Sequence, residues 1–379
     1  MTKTRLSLLI DQLTKRLKNN ILSKHNWLCF GAGLSLVFAY APFSYWYLTL
    51  TVPSLVFYLI NNASPKHAAK LMGIFAFGWF ASGISWVHVS IDQFGGLPLI
   101  VSIALMLLLC LYLAIFPTLS AYLVAHFSKG RKLNLWLLPS FWLFTEYLRS
   151  SVLTGFPWLS LGYSQIDGPL ACYAPVIGEV GITVLVLLIN ISLVKIFIAL
   201  KQLSLQQNAL QHTLQKYKHK PTLSFVTPVA TIIIISGLGV LLSQINWVIL
   251  NGKTAKVALV QGNIKQAIKW APEQEWPTML KYLDLTRVNY NADIIIWPES
   301  AIPAMEPSAQ DFLTTVNRAA ILNNSAVITG ILNYNFETRQ YFNSLSVLGK
   351  KQLDDEQGYF YNHSNRYSKH HLLPIGEFV

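Results

Sequence analysis

LPLIVSIALMLLLCLYLAIFPTLSAYLVAHF, residues 97–127, decides the class of fold: it contains no Asp, Glu, Lys or Arg. It is longer than the roughly 20 apolar residues that cross about 30 Å of hydrocarbon. On either side of it lie further apolar segments at 26–41, 45–60, 71–89, 135–148, 173–200 and 225–249. The first two are short, and Pro42 and Phe43 separate them, as suits a tight turn. Seven spans are therefore expected. Composition agrees: 53% of the residues are hydrophobic and 12% charged, with a mean hydropathy of +0.41. A soluble domain carries about twice that charge.

Loop charge orients the spans. Lys3, Arg5, Lys15, Arg16, Lys18 and Lys24 precede the first span, Lys66 and Lys70 follow the second, Lys129, Arg131 and Lys132 the fourth, and Lys201, Lys216, Lys218 and Lys220 the sixth. The intervening loops, 41–44, 90–96 and 150–172, contain no Lys or Arg, and Arg149 stands at the border of the last. The positive-inside rule then places a basic tail, residues 1–25, in the cytoplasm. It has no A-x-A cleavage site and reads as retained, not as a signal peptide. Seven crossings of a bacterial inner membrane, within residues 26–250, put residues 251–379 on the periplasmic side.

The net charge of +12 belongs to the membrane half. Residues 1–250 hold 17 Lys and Arg against 5 Asp and Glu, and residues 251–379 hold 12 against 12. Topology accounts for the excess, so nucleic acid is not expected as a partner. Cys29, Cys110 and Cys172 have no CxxC spacing and no clustered histidines, which indicates neither a disulfide framework nor a zinc site.

Beyond Gly252 the pattern changes. Residues 256–262 read as a short strand ending in Gln261-Gly262-Asn263, and 273–290 as a helix. The strand 293–297 ends in Pro298-Glu299-Ser300, and a helix over 309–322 leads to strands at 326–332 and 341–348 and a further one from Gln357. This order implies a layered α/β domain. Glu299, just past three isoleucines, is either placed as a desolvated general base with a raised pKa or is a helix-capping or surface glutamate. Lys369 is either an oxyanion-stabilising cation or a solvated surface group. His370 and His371 are adjacent, so on a strand they point to opposite faces and make a poor metal pair.

Two features of the membrane half stay open. Glu146 and Arg149, at i, i+3, are either ionisable groups facing a cavity at membrane depth or a helix-surface pair that ties down the fifth span. The stretch Thr154-Gly155-Phe156-Pro157-Trp158, followed by Gly162-Tyr163-Ser164-Gln165, is either a lipid-meeting interfacial loop or an ordinary aromatic belt.

Taken together, Trp297-Pro298-Glu299-Ser300, Gln261-Gly262-Asn263 and Tyr367-Ser368-Lys369-His370-His371-Leu372-Leu373-Pro374-Ile375-Gly376-Glu377-Phe378-Val379 resemble the nitrilase, or carbon–nitrogen hydrolase, superfamily. The preceding spans, Gly155-Phe156-Pro157-Trp158 and Trp270 narrow the resemblance to the bacterial apolipoprotein N-acyltransferases, from about Trp27 to Val379. Each motif alone is weak; the set is specific. The resemblance implies a polytopic α-helical bundle followed by the N-terminal part of a nitrilase-like αββα sandwich. It also implies a Glu-Lys-Cys triad, with Glu299 as general base, Lys369 as stabiliser of the tetrahedral intermediate, Glu377 as a supporting carboxylate and Trp270 lining the substrate path. No cofactor is implied. An acyl chain would pass from a phospholipid such as phosphatidylethanolamine to the cysteine as a thioester. It would then pass to the α-amine of a lipoprotein's diacylglyceryl-cysteine.

In the family pattern the nucleophilic cysteine follows the lysine by several tens of residues, and closing strands and an eighth span come after it. Here the sequence stops at Val379, ten residues past Lys369, and none of the three cysteines fits the motif. Loss of a triad nucleophile costs on the order of 10⁶-fold. The expectation is a truncated member, inactive alone. The competing readings are a non-catalytic membrane protein that binds lipid or lipoprotein, and a transporter. The second half, with Glu299 and Lys369 at family positions, argues against the transporter.

Overall fold

The apolar stretch that begins at Leu99 forms one helix, α5, whose two sides differ in surroundings and not in polarity. Ser102, Met106, Cys110, Leu113, Pro117, Ser120 and Val124 recur at helical spacing on the buried side. Ile100, Leu108, Leu111 and Ile115 stand exposed opposite them. A helix apolar all round is at rest only where its outer face meets hydrocarbon. The computed structural model describes residues 24–93, 95–128, 133–210, 222–349 and 359–370. Its two compact units divide between Val248 and Ile249.

The first unit is helical: α1 Lys24–Ser35, α2 Tyr47–Ile60, α3 Pro65–Gly83, α4 Val87–Gln93, α5 Leu99–Phe127, α6 Leu138–Ser151, α7 Ala174–Leu210 and α8 Thr222–Ser243. Its core runs through Phe57, Phe75, Trp79, Leu113, Leu135 and Val186. α1 and α3 approach closely through paired glycines. A Cβ on Gly33 would lie 2.0 Å from the Phe75 carbonyl oxygen, and one on Gly78 would lie 2.6 Å from that of Phe30. Small residues permit such backbone contact between apolar helices.

Among the described residues three helical stretches are long and apolar enough to cross a membrane: Leu99–Phe127, Ala171–Ser204 and Phe225–Ser243. A fourth is counted if Pro65–Gly83 and Val87–Gln93, bent by 53°, act as one span. The seven expected spans are thus met only in part. α1 has 12 residues and passes into a 3-10 turn at Leu36–Ala39, and α2 and α6 have 14 residues each.

The second unit is a mixed α/β layer: β1 Val257–Leu259, α9 Pro272–Arg287, β2 Ile294–Ile296, α10 Gln310–Leu322, β3 Ala326–Asn335, β4 Gln340–Leu348 and β5 Arg366–Ser368. The sheet order is β1-β2-β3-β4-β5. β1, β2 and β3 run parallel, and β4 and β5 pair antiparallel. Parallel neighbours require crossovers, which α9 and α10 provide. Phe312, Leu313, Val316 and Ala320 put one stripe of α10 into a core with Ile295, Trp297, Val327, Ile331 and Leu348. The Trp297 indole donates to Thr286 Oγ1 at 2.8 Å, which satisfies the only polar atom that ring buries. The strand expected from Gln357 starts outside the described residues; the strand observed beyond it is β5, with turn structure before it. A single five-stranded sheet is described, not the two facing sheets of a sandwich.

Candidate functional site

Glu299 owes its place to a tight exit from β2. The Trp297 amide donates to the Ile328 carbonyl at 2.8 Å, which prolongs the β2–β3 ladder by one residue. The chain then turns at Pro298-Glu299-Ser300, where Ser300 takes a positive φ of 50° and is buried. The turn lies flat on β3. A Cβ on Gly330 would sit 2.6 Å from the Ser300 amide nitrogen and 2.8 Å from Glu299 Cα. Only glycine leaves room there. Gly330→Ala is expected to cost about 1–3 kcal/mol by overpacking and to push the Glu299 turn off the sheet. Thermal unfolding of the variant, with Trp297 fluorescence as reporter, checks this.

Asn343 ties the carboxylate to the lysine. It sits on β4 opposite Leu332, and its Nδ2 donates to Glu299 Oε1 at 2.6 Å. The Asn343 carbonyl accepts the Lys369 amide at 2.9 Å, directly after β5. Glu299 and Lys369, seventy positions apart, are therefore fastened to one residue. Lys369 is half-buried. Glu299 is exposed, so the expectation of a desolvated carboxylate is corrected. Of the isoleucines before it Ile295 enters the core, and the turn leaves the Glu299 side chain at the surface.

Trp270 is 47% exposed at the entry to α9. Beside it Lys269 is half-buried, with Nζ 5.9 Å over the Trp270 ring, and it donates to the Glu299 carbonyl oxygen at 3.4 Å. Burial pushes the Lys269 ammonium below the usual lysine range, and the Glu299 carboxylate opposes that shift. Sequence reasoning missed Lys269, although its position next to Trp270 was a signal. Glu377 and His371 lie outside the described residues. His370 is exposed and packs edge-on against Tyr367.

The second unit also holds a buried ion pair. Glu306 is fully buried, and Arg366 grips both its oxygens, Nη1 to Oε2 at 2.7 Å and Nη2 to Oε1 at 2.8 Å. The Tyr359 hydroxyl donates to Oε1 at 3.0 Å. Burial first, then the charge of Glu306, drives the Tyr359 hydroxyl well above its ordinary pKa. Glu306 and Arg366 are sixty positions apart, and no local spacing announces them.

In the first unit, Arg149 is 1% exposed and pairs with Glu146. Its Nη1 donates to the carbonyls of Phe156 at 2.8 Å and Trp158 at 2.7 Å, and its guanidinium lies 5.7 Å from the centre of the Phe80 ring. The pair is an internal clamp on the loop 154–158 and not a helix-surface pair. Trp158 is 49% exposed and packs against Trp86 and Phe156. The segment from Gly162 to Gln165 departs from the lipid-facing expectation. Gln165 is fully buried, and its Nε2 donates to the Trp46 carbonyl at 3.0 Å and to Thr49 Oγ1 at 2.9 Å. Tyr163 alone of these side chains is exposed. Cys29 and Cys110 are buried in α1 and α5, and the Cys172 thiol donates to the Pro169 carbonyl at 3.3 Å.

Comparison with known proteins gives two family matches along the chain. Residues 32–192 match the apolipoprotein N-acyltransferase N-terminal domain, and residues 256–379 match the carbon-nitrogen hydrolase family. An apolipoprotein N-acyltransferase of Vibrio parahaemolyticus is 43% identical over 350 residues, covering 92% of this chain and 64% of the relative. One from Shewanella oneidensis is 43% identical over 358 residues, covering 93% and 64%. One from Haemophilus influenzae is 35% identical over 352 residues, covering 92% and 63%. The chain spans just under two thirds of the length of these relatives.

Proposed function

We propose that this chain, which belongs to the apolipoprotein N-acyltransferase family, serves the N-acylation of lipoproteins. An acyl chain leaves a phospholipid, forms a thioester on a cysteine and is transferred to the α-amine of a diacylglyceryl-cysteine. The observation that carries the reading is the attachment of both Glu299 and Lys369 to Asn343. A carboxylate and an ammonium whose residues are both bonded to Asn343 can divide the work. In this reading Glu299 takes the proton of the attacking thiol and returns it to the leaving alkoxide. Lys369 balances the charge of the tetrahedral intermediate. Glu377 supports the lysine, and Trp270 lines the substrate path. None of Cys29, Cys110 and Cys172 lies in the second unit, and the nucleophile is assigned to none of them.

The domains are read as a cytoplasmic tail over 1–25, seven spans within 26–250 and a periplasmic nitrilase-like part over 251–379. Loop charge supports this orientation in the inner membrane. Both substrates are lipids anchored in that membrane, and the exposed Trp158 cluster suits contact with them. A second reading, lipid or lipoprotein binding without turnover, is favoured by the half-exposed Trp158 packed on Trp86 and Phe156, which suits lipid contact and needs no chemistry.

The two readings separate in one experiment. The chain is assayed alone and joined to the C-terminal third of the Vibrio relative, with phosphatidylethanolamine and a diacylated lipopeptide. Mass spectrometry of the peptide N-terminus is expected to reveal amide-linked acyl chain for the joined protein. Lipid binding without product in both would establish the second reading.

A further inference from the structure

Among the described residues Lys269 makes no salt bridge to a carboxylate. The described ion pairs are Arg149 with Glu146, Arg287 with Asp284 and Arg366 with Glu306. Of the described lysines of the second unit, Lys253, Lys256, Lys265 and Lys281 are exposed, and only Lys269 and Lys369 are half-buried. Glu299, the acid whose charge acts on Lys269, gives Oε1 to Asn343 and offers Lys269 its main-chain carbonyl at 3.4 Å. An ammonium has three donors. Here one is spent on a long bond to a carbonyl, and a half-exposed indole lies alongside. Withdrawing a charge from water is costly unless a counter-charge arrives. A cation held this way beside the proposed base is prepared for an anion brought by the ligand.

We infer that Lys269 binds the phosphodiester of the phospholipid acyl donor, with Trp270 packing against the adjoining glycerol. The inference rests on the acyl-transfer reading for the identity of the ligand. The phosphodiester is the charge common to glycerophospholipids whatever their headgroup, and it lies one glycerol away from the ester that reacts. Gripping it next to Glu299 would hold the scissile ester at the site. Lys269 is then a positioning residue for the donor, separate in role from Glu299 and Lys369.

Site-resolved acetylation tests this without turnover. The full chain in non-ionic detergent is treated with limiting N-acetylsuccinimide, and the extent at Lys269, Lys253 and Lys281 is read by mass spectrometry. Dihexanoyl phosphatidylglycerol, which has no amine, is the probe; dihexanoylglycerol and inorganic phosphate are the comparisons. At roughly ten times its Kd the phospholipid is expected to slow acetylation of Lys269 about tenfold and to leave Lys253 and Lys281 unchanged. The neutral glyceride is expected to give no protection, and inorganic phosphate to protect only at much higher concentration. Lys269→Arg should retain phospholipid binding by calorimetry, and Lys269→Met should lose about tenfold in affinity. Equal protection by the glyceride, no protection by the phospholipid, or unchanged affinity in Lys269→Met would overturn the assignment. Equal potency of inorganic phosphate would overturn the lipid as its source. Protection without acyl transfer by the joined protein would defeat the catalytic reading and leave this site standing; transfer without protection would do the reverse.

Discussion

Glu306→Ala is expected to lower the stability of the second unit by about 3–5 kcal/mol, the cost of leaving one partner of a buried pair alone. The carboxylate is fully buried and takes three hydrogen bonds, two from Arg366 and one from Tyr359. Its removal strands a guanidinium whose side chain is only 11% exposed. β5 has three residues and lies at the sheet edge, so Arg366 contributes much of what holds Lys369 in place. Hydrogen exchange across 294–348 and 366–369 in the full chain measures the loss. The double replacement Glu306→Leu with Arg366→Met should cost far less than either single change, because it removes both charges from the interior. A Glu306→Ala protein within about 1 kcal/mol of the parent would show that the pair is not coupled to the fold. Tyr359 adds a pH dependence. Its folded pKa is raised, so its contribution is complete below the ordinary tyrosine value of about 10. As the pH rises past that value the unfolded chain ionises first, and stability falls.

Glu299→Gln is expected to reduce acyl-enzyme formation by about 10²–10⁴-fold in the joined protein, the usual contribution of a positioned general base. The amide keeps an oxygen for Asn343 Nδ2, which now donates to Glu299 Oε1 at 2.6 Å, so the turn should persist. A rate loss with unchanged unfolding temperature isolates proton transfer from structure. Lys369→Met should reduce the same step with the fold intact. A Glu299→Gln enzyme within tenfold of the parent would remove Glu299 from the role of base.

The sequence was most legible where a local period carries the information. The uninterrupted apolar run at Leu99–Phe127, the switch to short strands after Gly252 and the amphipathic stripe of α10 are all readable within one turn or one strand. Span count was less legible. Apolarity alone does not say that α1 ends in a 3-10 turn or that the chain bends by 53° between Gly83 and Val87. The burial of Gln165 was not legible, because nothing local in an aromatic loop reveals its partners at Trp46 and Thr49.

Composition, charge and periodicity, which act over a few residues at a time, were enough to make this an apolar helical bundle followed by an α/β layer, and position at strand ends with the motif resemblance marked Glu299 and Lys369 as candidates. Where those two side chains stand was decided by the folded sheet: by Gly330 admitting the Glu299 turn, by Asn343 reaching both strand ends, and by Glu306 gripping Arg366. Those contacts join positions 26, 44 and 60 apart, or depend on a missing Cβ, and side-chain chemistry read along a chain has no term for such distances. Lys269 acquires its meaning in the same way, from the carbonyl that the fold sets beside it.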